Sequence, residues 1–372
     1  MNGVTQSNRW NGMDFARAVL MILGLFFHAG RIYGNGENWI VISDETCACV
    51  NAVDYFIHSF RMEAFYLIAG FFFALVYEKH RPKFLRDRLA RIAIPLLFCG
   101  ILINPVMHYF AYGADYITGK DYILHGQWME HLWFLGNLTI YILISIPACN
   151  LIRSKVKLNK TQLFYLILLV VPLVAAGLNF AANHIYSGIF LFVAVESIFN
   201  YWPYYILGII CFYNKHIFME ILNIRTIVIS LAICAAMLAI IEIMNIFSIA
   251  LISKIFYALL RGPMVLLVLS TLIVIGSKES RIVRSFSDSS YTIYLLHLPL
   301  FVFLYRAIFQ HTHLGALQEY ALLIAITYAI SYCVHIFIID KSPLLGFAFN
   351  GKVFDLGRYT LLGTKRQQSS LT

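Results

Sequence analysis

FARAVLMILGLFFHAG, Phe15 to Gly30, is a hydrophobic stretch long enough for a membrane helix once its flanks are included, yet it carries Arg17 and His28. Eleven steps of about 100° return a helix to nearly the same face, so the guanidinium and the imidazole share one stripe roughly 16 Å apart along the axis. An arginine near the centre of a lipid-embedded helix costs about 2.5–3.5 kcal/mol even on the mildest insertion scale. The stripe therefore faces protein or a wet cavity, with Asp14, one turn before Arg17, as a local partner for the guanidinium.

The rest of the chain has the same character. Its 372 residues are 60% hydrophobic and 13% charged, against about 25% charged in a soluble domain, and the mean hydropathy is +0.75. This composition predicts an all-α polytopic membrane protein. Apolar windows of about 20 residues place ten helices near 13–33, 52–77, 89–112, 131–151, 162–182, 190–213, 225–245, 253–276, 288–310 and 316–340, around a central polar cavity. The sixth is interrupted by Glu196, Asn200 and Pro203. Residues 1–340 read as one transmembrane domain and 341–372 as a polar cytoplasmic tail. No signal-peptide pattern precedes the first span, which is expected to remain as a helix.

Of the 28 lysines and arginines, most fall at the ends of spans that share a side with both termini, while Arg31, Lys120, Lys254 and Arg306 fall opposite. The positive-inside rule makes that side cytoplasmic. The net charge of +9 follows from this asymmetry, with attraction to anionic lipid, and gives no reason to expect nucleic acid as a partner. Five of the seven cysteines lie in apolar runs, and none has the spacing of a metal site. No metal is expected.

Four further stretches carry polar groups into the membrane. HSFRMEAFYLIAGFFFAL (His58–Leu75) holds Arg61 and Glu63, readable as an internal ion pair or as part of a cavity shared with His28. EKHRPKFLRDRLARIAIP (Glu78–Pro95) holds Arg88 and Arg91 one turn apart; these are interfacial anchors or bidentate contacts for a phosphate-bearing co-substrate. The helix they begin carries Asn104, Pro105 and His108 in its other half. HLWFLGNL (His131–Leu138) follows Gln127 and Trp128; with Trp133 it reads as an aromatic belt or as a sugar-facing lip. DSSYTIYLLHLPLF (Asp288–Phe301) places Ser290, Tyr294 and His297 on one stripe. No phosphate loop, Walker motif or nucleophile elbow is present. The candidates for proton transfer are therefore imidazoles.

Arg17 with His28, FYLIAGFF (Phe65–Phe72), the Arg88–Arg91 pair before an Ile-Pro step, HLWFL (His131–Leu135) and SYTIYLLH (Ser290–His297) occur in this order. Together they resemble the integral-membrane acyltransferase family 3, glycan O-acyltransferases, and within it the branch of glucan biosynthesis protein C. The sequence departs from the family pattern at Glu63, where a proline is common, and at Ala69, where a serine precedes the glycine. The resemblance implies no tightly bound cofactor. It implies acyl-CoA (acetyl-CoA or succinyl-CoA) as cytoplasmic co-substrate, a glycan hydroxyl as acceptor and residence in a bacterial inner membrane. Glycan-synthesis proteins are possible partners.

On that reading His28 is the general base, and Arg61 or Tyr294 meets the oxyanion. His297 orients the acceptor or relays protons, and Arg88, Arg91 and Arg17 hold the donor. Glu63, His131, Trp133, Asn104 and Ser290 face the acceptor. Two other classes compete. A transporter or flippase would share the buried charges, but the sequence shows no paired repeat. A structural subunit of an export complex would tolerate loss of His28 and Arg17.

Overall fold

A computed structural model describes residues 10–34, 39–79, 84–185, 189–190, 193–243, 250–276 and 281–351. The chain forms a helical bundle. Its long helices are α1 (Asn11–Tyr33), α2 (Ala48–Lys79), α3 (Leu85–Tyr112), α4 (Glu130–Lys155), α5 (Lys160–His184) and α6 (Val195–Tyr213). They continue with α7 (Ile224–Ile243), α8 (Ala250–Ile275), α9 (Arg281–Ala307) and α10 (Ala316–Ile339). Among the described residues, nine are long and apolar enough to cross a membrane, so the protein is a multi-pass membrane protein. The expected span missing from these nine is the sixth, which corresponds to α6, whose polar first half keeps it below that hydropathy. It is nevertheless central, with Tyr204, Tyr205, Leu207 and Ile209 fully buried. Ahead of it, Ile189–Phe190 and Val193–Ala194 form a two-residue antiparallel pairing.

Contacts between helix ends define a basic end of the bundle. Glu78 at the end of α2 accepts from Tyr213 of α6 at 2.8 Å and pairs with Arg153 of α4 at 3.6 Å. The amide of Leu158 donates to Asn214 at 3.0 Å. The chain continues past residue 340 into a short helix, α11 (Pro343–Asn350), started by the Ser342 side chain and stopped by Gly351 in the left-handed region. It packs on the start of α3, with Phe349 against Phe98 at 5.2 Å. Residues 352–372 of the expected tail lie outside the described residues.

Two devices shape the interior. Helix α2 breaks at Ser59–Phe60, between Ala48–His58 and Arg61–Lys79, which sets Arg61 at the first turn of the second segment. Helices α2 and α6 then meet backbone to backbone: a Cβ on Gly70 would fall on the Tyr205 carbonyl, and one on Gly208 on the Leu67 carbonyl. Small residues permit this approach in lipid, where close packing takes over from the hydrophobic effect. Gly208→Val is therefore expected to abolish most of the monodisperse, folded protein on size-exclusion chromatography; a wild-type profile would show that the seam can open.

Candidate active site

Helix α1 is the axis of the site, packing against α2, α8, α9 and α10. Its two polar residues open into two different spaces. Arg17 lines a cavity of about 600 Å³ at the basic end, together with Arg88, Arg91, Ser287, Ser290, Tyr291, His335, Asp340 and Asn350. The Arg17 guanidinium bonds Ser287 Oγ at 3.1 Å and Asp14 at 3.2 Å, the latter as the sequence suggested. Arg88 donates to the Phe72 carbonyl at 3.1 Å, and Tyr291 to the Arg91 carbonyl at 3.1 Å. The inner walls are apolar, from Phe65, Ile68 and Phe72 of α2 and Leu135, Leu138 and Ile142 of α4.

His28 lies farther along α1 in a much smaller pocket of about 30 Å³, lined also by Arg61, His131, Trp133 and Tyr294. Three imidazoles converge there from α1, α4 and α9. The ring of His297 lies 5.0 Å from His28 and 5.1 Å from His131. All three are buried. His297 Nδ1 donates to the Tyr294 carbonyl at 2.5 Å. A carbonyl only accepts, so this bond fixes the tautomer and leaves Nε2 with a lone pair. That Nε2, Nδ1 of His28 and both ring nitrogens of His131 have no hydrogen-bond partner among the described residues. His28 also stacks on Trp39 at 5.5 Å.

Arg61 sits over the Phe27 ring at 4.6 Å with its Nε unpartnered, and no described carboxylate pairs with it. The Tyr294 hydroxyl donates to the His131 carbonyl at 2.8 Å. Trp133 stacks on Tyr201 at 5.9 Å. Glu130, immediately before His131, has φ 41°, a left-handed backbone uncommon outside glycine. It begins the 3₁₀ turn that brings His131 into the pocket.

Three of the expected site residues lie elsewhere. Glu63 lines neither cavity; its carboxylate pairs with Arg261 of α8 at 3.1 Å, and Arg261 also bonds Asn200 of α6 at 3.2 Å. It is thus a strut between α2, α6 and α8 and not the partner of Arg61. Asn104 donates to the carbonyls of Trp128 at 2.8 Å and Met129 at 3.2 Å, tying α3 to the loop before α4. Ser290 opens on the Arg17 cavity instead of the histidine pocket, and its hydroxyl caps the Ser287 carbonyl at 2.9 Å. Sequence reading missed Ser287, His335, Asp340 and Asn350. Only the Ser287–Ser290 helical spacing hinted at any of these; Asp340 and Asn350 arrive from segments read as a span end and a tail.

The acyltransferase domain profile matches residues 10–336, and the chain belongs to the acyltransferase 3 family. It is similar to glucans biosynthesis protein C of Escherichia coli (strain K12), 29% identical over 229 residues. That alignment covers 55% of this chain and 58% of the relative, less than two thirds of its length. The protein of the same name from Escherichia coli O139:H28 is 28% identical over 386 residues, 91% of this chain and 94% of the relative. No solved structure matches.

Proposed function

We propose that this protein is an acyltransferase that moves a short acyl group, acetyl or succinyl, from cytoplasmic acyl-CoA to a hydroxyl of a periplasmic or surface glycan. The name of the Escherichia coli relatives makes a glucan the first acceptor to try. The observation that carries the reading is the meeting of two unlike chambers on one helix. An arginine-lined cavity opens at the basic end, and a buried three-histidine cluster lies next to it along α1. The basic end is taken as cytoplasmic and the membrane as a bacterial inner membrane.

Arg88, Arg91 and Arg17 hold the donor phosphates by charge-assisted contacts, and the apolar wall of α2 and α4 accommodates the pantetheine arm. His28 removes the proton from the acceptor hydroxyl as its oxygen bonds to the thioester carbonyl carbon. Collapse of the tetrahedral intermediate breaks the C–S bond, and the departing thiolate takes the proton back from the His28 imidazolium. Arg61 is the better oxyanion partner, because the Tyr294 hydroxyl is already committed to the His131 carbonyl. The fixed tautomer of His297, with an accepting Nε2, suits it to orient the acceptor hydroxyl toward His28. Trp133 and His131 receive the sugar.

The test is acyl transfer by the purified full-length protein in lipid nanodiscs with isotopically labelled acyl-CoA and a glucan acceptor. An acceptor gaining the mass of the acyl group supports the reading; unchanged acceptor mass with intact donor, as a transporter would give, sinks it. Arg88→Ala is expected to raise KM for acyl-CoA about tenfold, the value of one charge-assisted contact, with the acceptor KM unchanged. Unaltered donor dependence would reduce Arg88 to an anchor.

A further inference from the structure

The large cavity and the histidine pocket have three lining residues in common: Met21, Phe65 and Phe134. Each stands about one helical turn from a site residue. Met21 follows Arg17 by four positions, Phe65 follows Arg61 by four and Phe134 follows His131 by three. The rings of Phe65 and Phe134 meet edge to face with centroids 4.8 Å apart, and both are buried. Met21 projects from the third side, on α1 between Arg17 and His28.

We infer that Met21, Phe65 and Phe134 form an apolar collar between the two chambers, and that this collar sets the length of the acyl group that is transferred. The inference rests on the acyl-CoA reading above. The chamber below the collar, about 600 Å³, has room for an extended arm. The one beyond it, about 30 Å³, holds little more than a water or two. For reaction, the thioester carbon must come to about 3–3.5 Å from the attacking oxygen, which His28 holds in that small pocket. Whatever follows the carbonyl must then share the pocket or stay wedged in the collar. A methyl group fits, and each added methylene has to displace a ring. In apolar pockets one methylene changes kcat/KM by about 10–200-fold. The same closed ring keeps bulk water from the thioester.

The residues differ in how they give way. Methionine is unbranched and rearranges readily, so Met21 is the adjustable element, while the paired phenyl rings support each other. The three are specificity-determining and touch neither the reacting proton nor the phosphates.

The experiment uses the purified full-length protein in nanodiscs with the CoA thioesters of acetate, succinate, butyrate and hexanoate. The ratio of kcat/KM for hexanoyl to acetyl donors is compared among wild type, Met21→Ala, Phe134→Leu and Met21→Phe. Met21→Ala and Phe134→Leu are expected to raise the ratio about tenfold or more, with KM for acetyl-CoA within about twofold, since the nucleotide end is held elsewhere. Met21→Phe, which fills the collar, is expected to lose butyryl transfer and keep acetyl transfer. An unchanged ratio in folded, active variants overturns the collar and leaves the acyltransferase assignment standing. Absence of transfer from every donor by the wild type overturns both.

Discussion

His28→Ala is expected to lower acyl transfer by about 10²–10⁴-fold, the usual contribution of a positioned general base, while KM for the donor changes little. His28 shares its pocket with Arg61, His131 and Tyr294 and is separated from the arginines that would hold the nucleotide, which is why the effect falls on kcat. The ring also packs edge-on to Phe27 at 5.0 Å, so alanine removes packing as well as a base. His28→Gln keeps most of the volume and hydrogen-bonding capacity but cannot accept the proton, and it should be equally inactive. Turnover is read by acceptor mass, on protein shown to be monodisperse. Near wild-type rates in both variants would exclude His28 from the chemistry.

Glu63→Ala is expected to destabilise the folded protein by about 3–5 kcal/mol. Removing one member of a buried pair strands the other charge. Glu63 is nearly inaccessible, and its pairing with Arg261 together with the Arg261–Asn200 bond links three helices. A loss of this size lowers the thermal midpoint in detergent by several degrees. Glu63→Met with Arg261→Met removes both charges and should recover much of the stability, because the stranded guanidinium is gone. The double variant should also retain acyl transfer, since Glu63 lines neither chamber. An unchanged midpoint in Glu63→Ala would mean that the guanidinium has found another partner.

Arg17 and His28 could be read from the sequence because both lie on one helix, where the period alone fixes their shared face. The same logic placed Ser290, Tyr294 and His297 on one stripe. It could not say that seven residues, about 10 Å along the axis, would carry Ser290 into the large cavity and leave His297 with the histidines. The partner of Glu63 was out of reach for a different reason: Arg261 comes from a helix far along the chain, and no local pattern couples them. Asn104 looked functional because an amide in a span is costly, yet two loop carbonyls account for it. Met21, Phe65 and Phe134 carried no signal, since methionine and phenylalanine are ordinary membrane composition. Helix α6 was the weakest span by hydropathy because it spends polar residues on contacts inside the protein: Asn200 reaches Arg261 and the Tyr204–Tyr205 pair is buried, while Glu196 stays exposed.

The backbone contact at Gly70 and Gly208 has a mechanical corollary. Two helices that touch carbonyl to Cα cannot slide without collision, so this pair behaves as a fixed wall of the bundle. Any rearrangement of the bundle is then expected outside this seam.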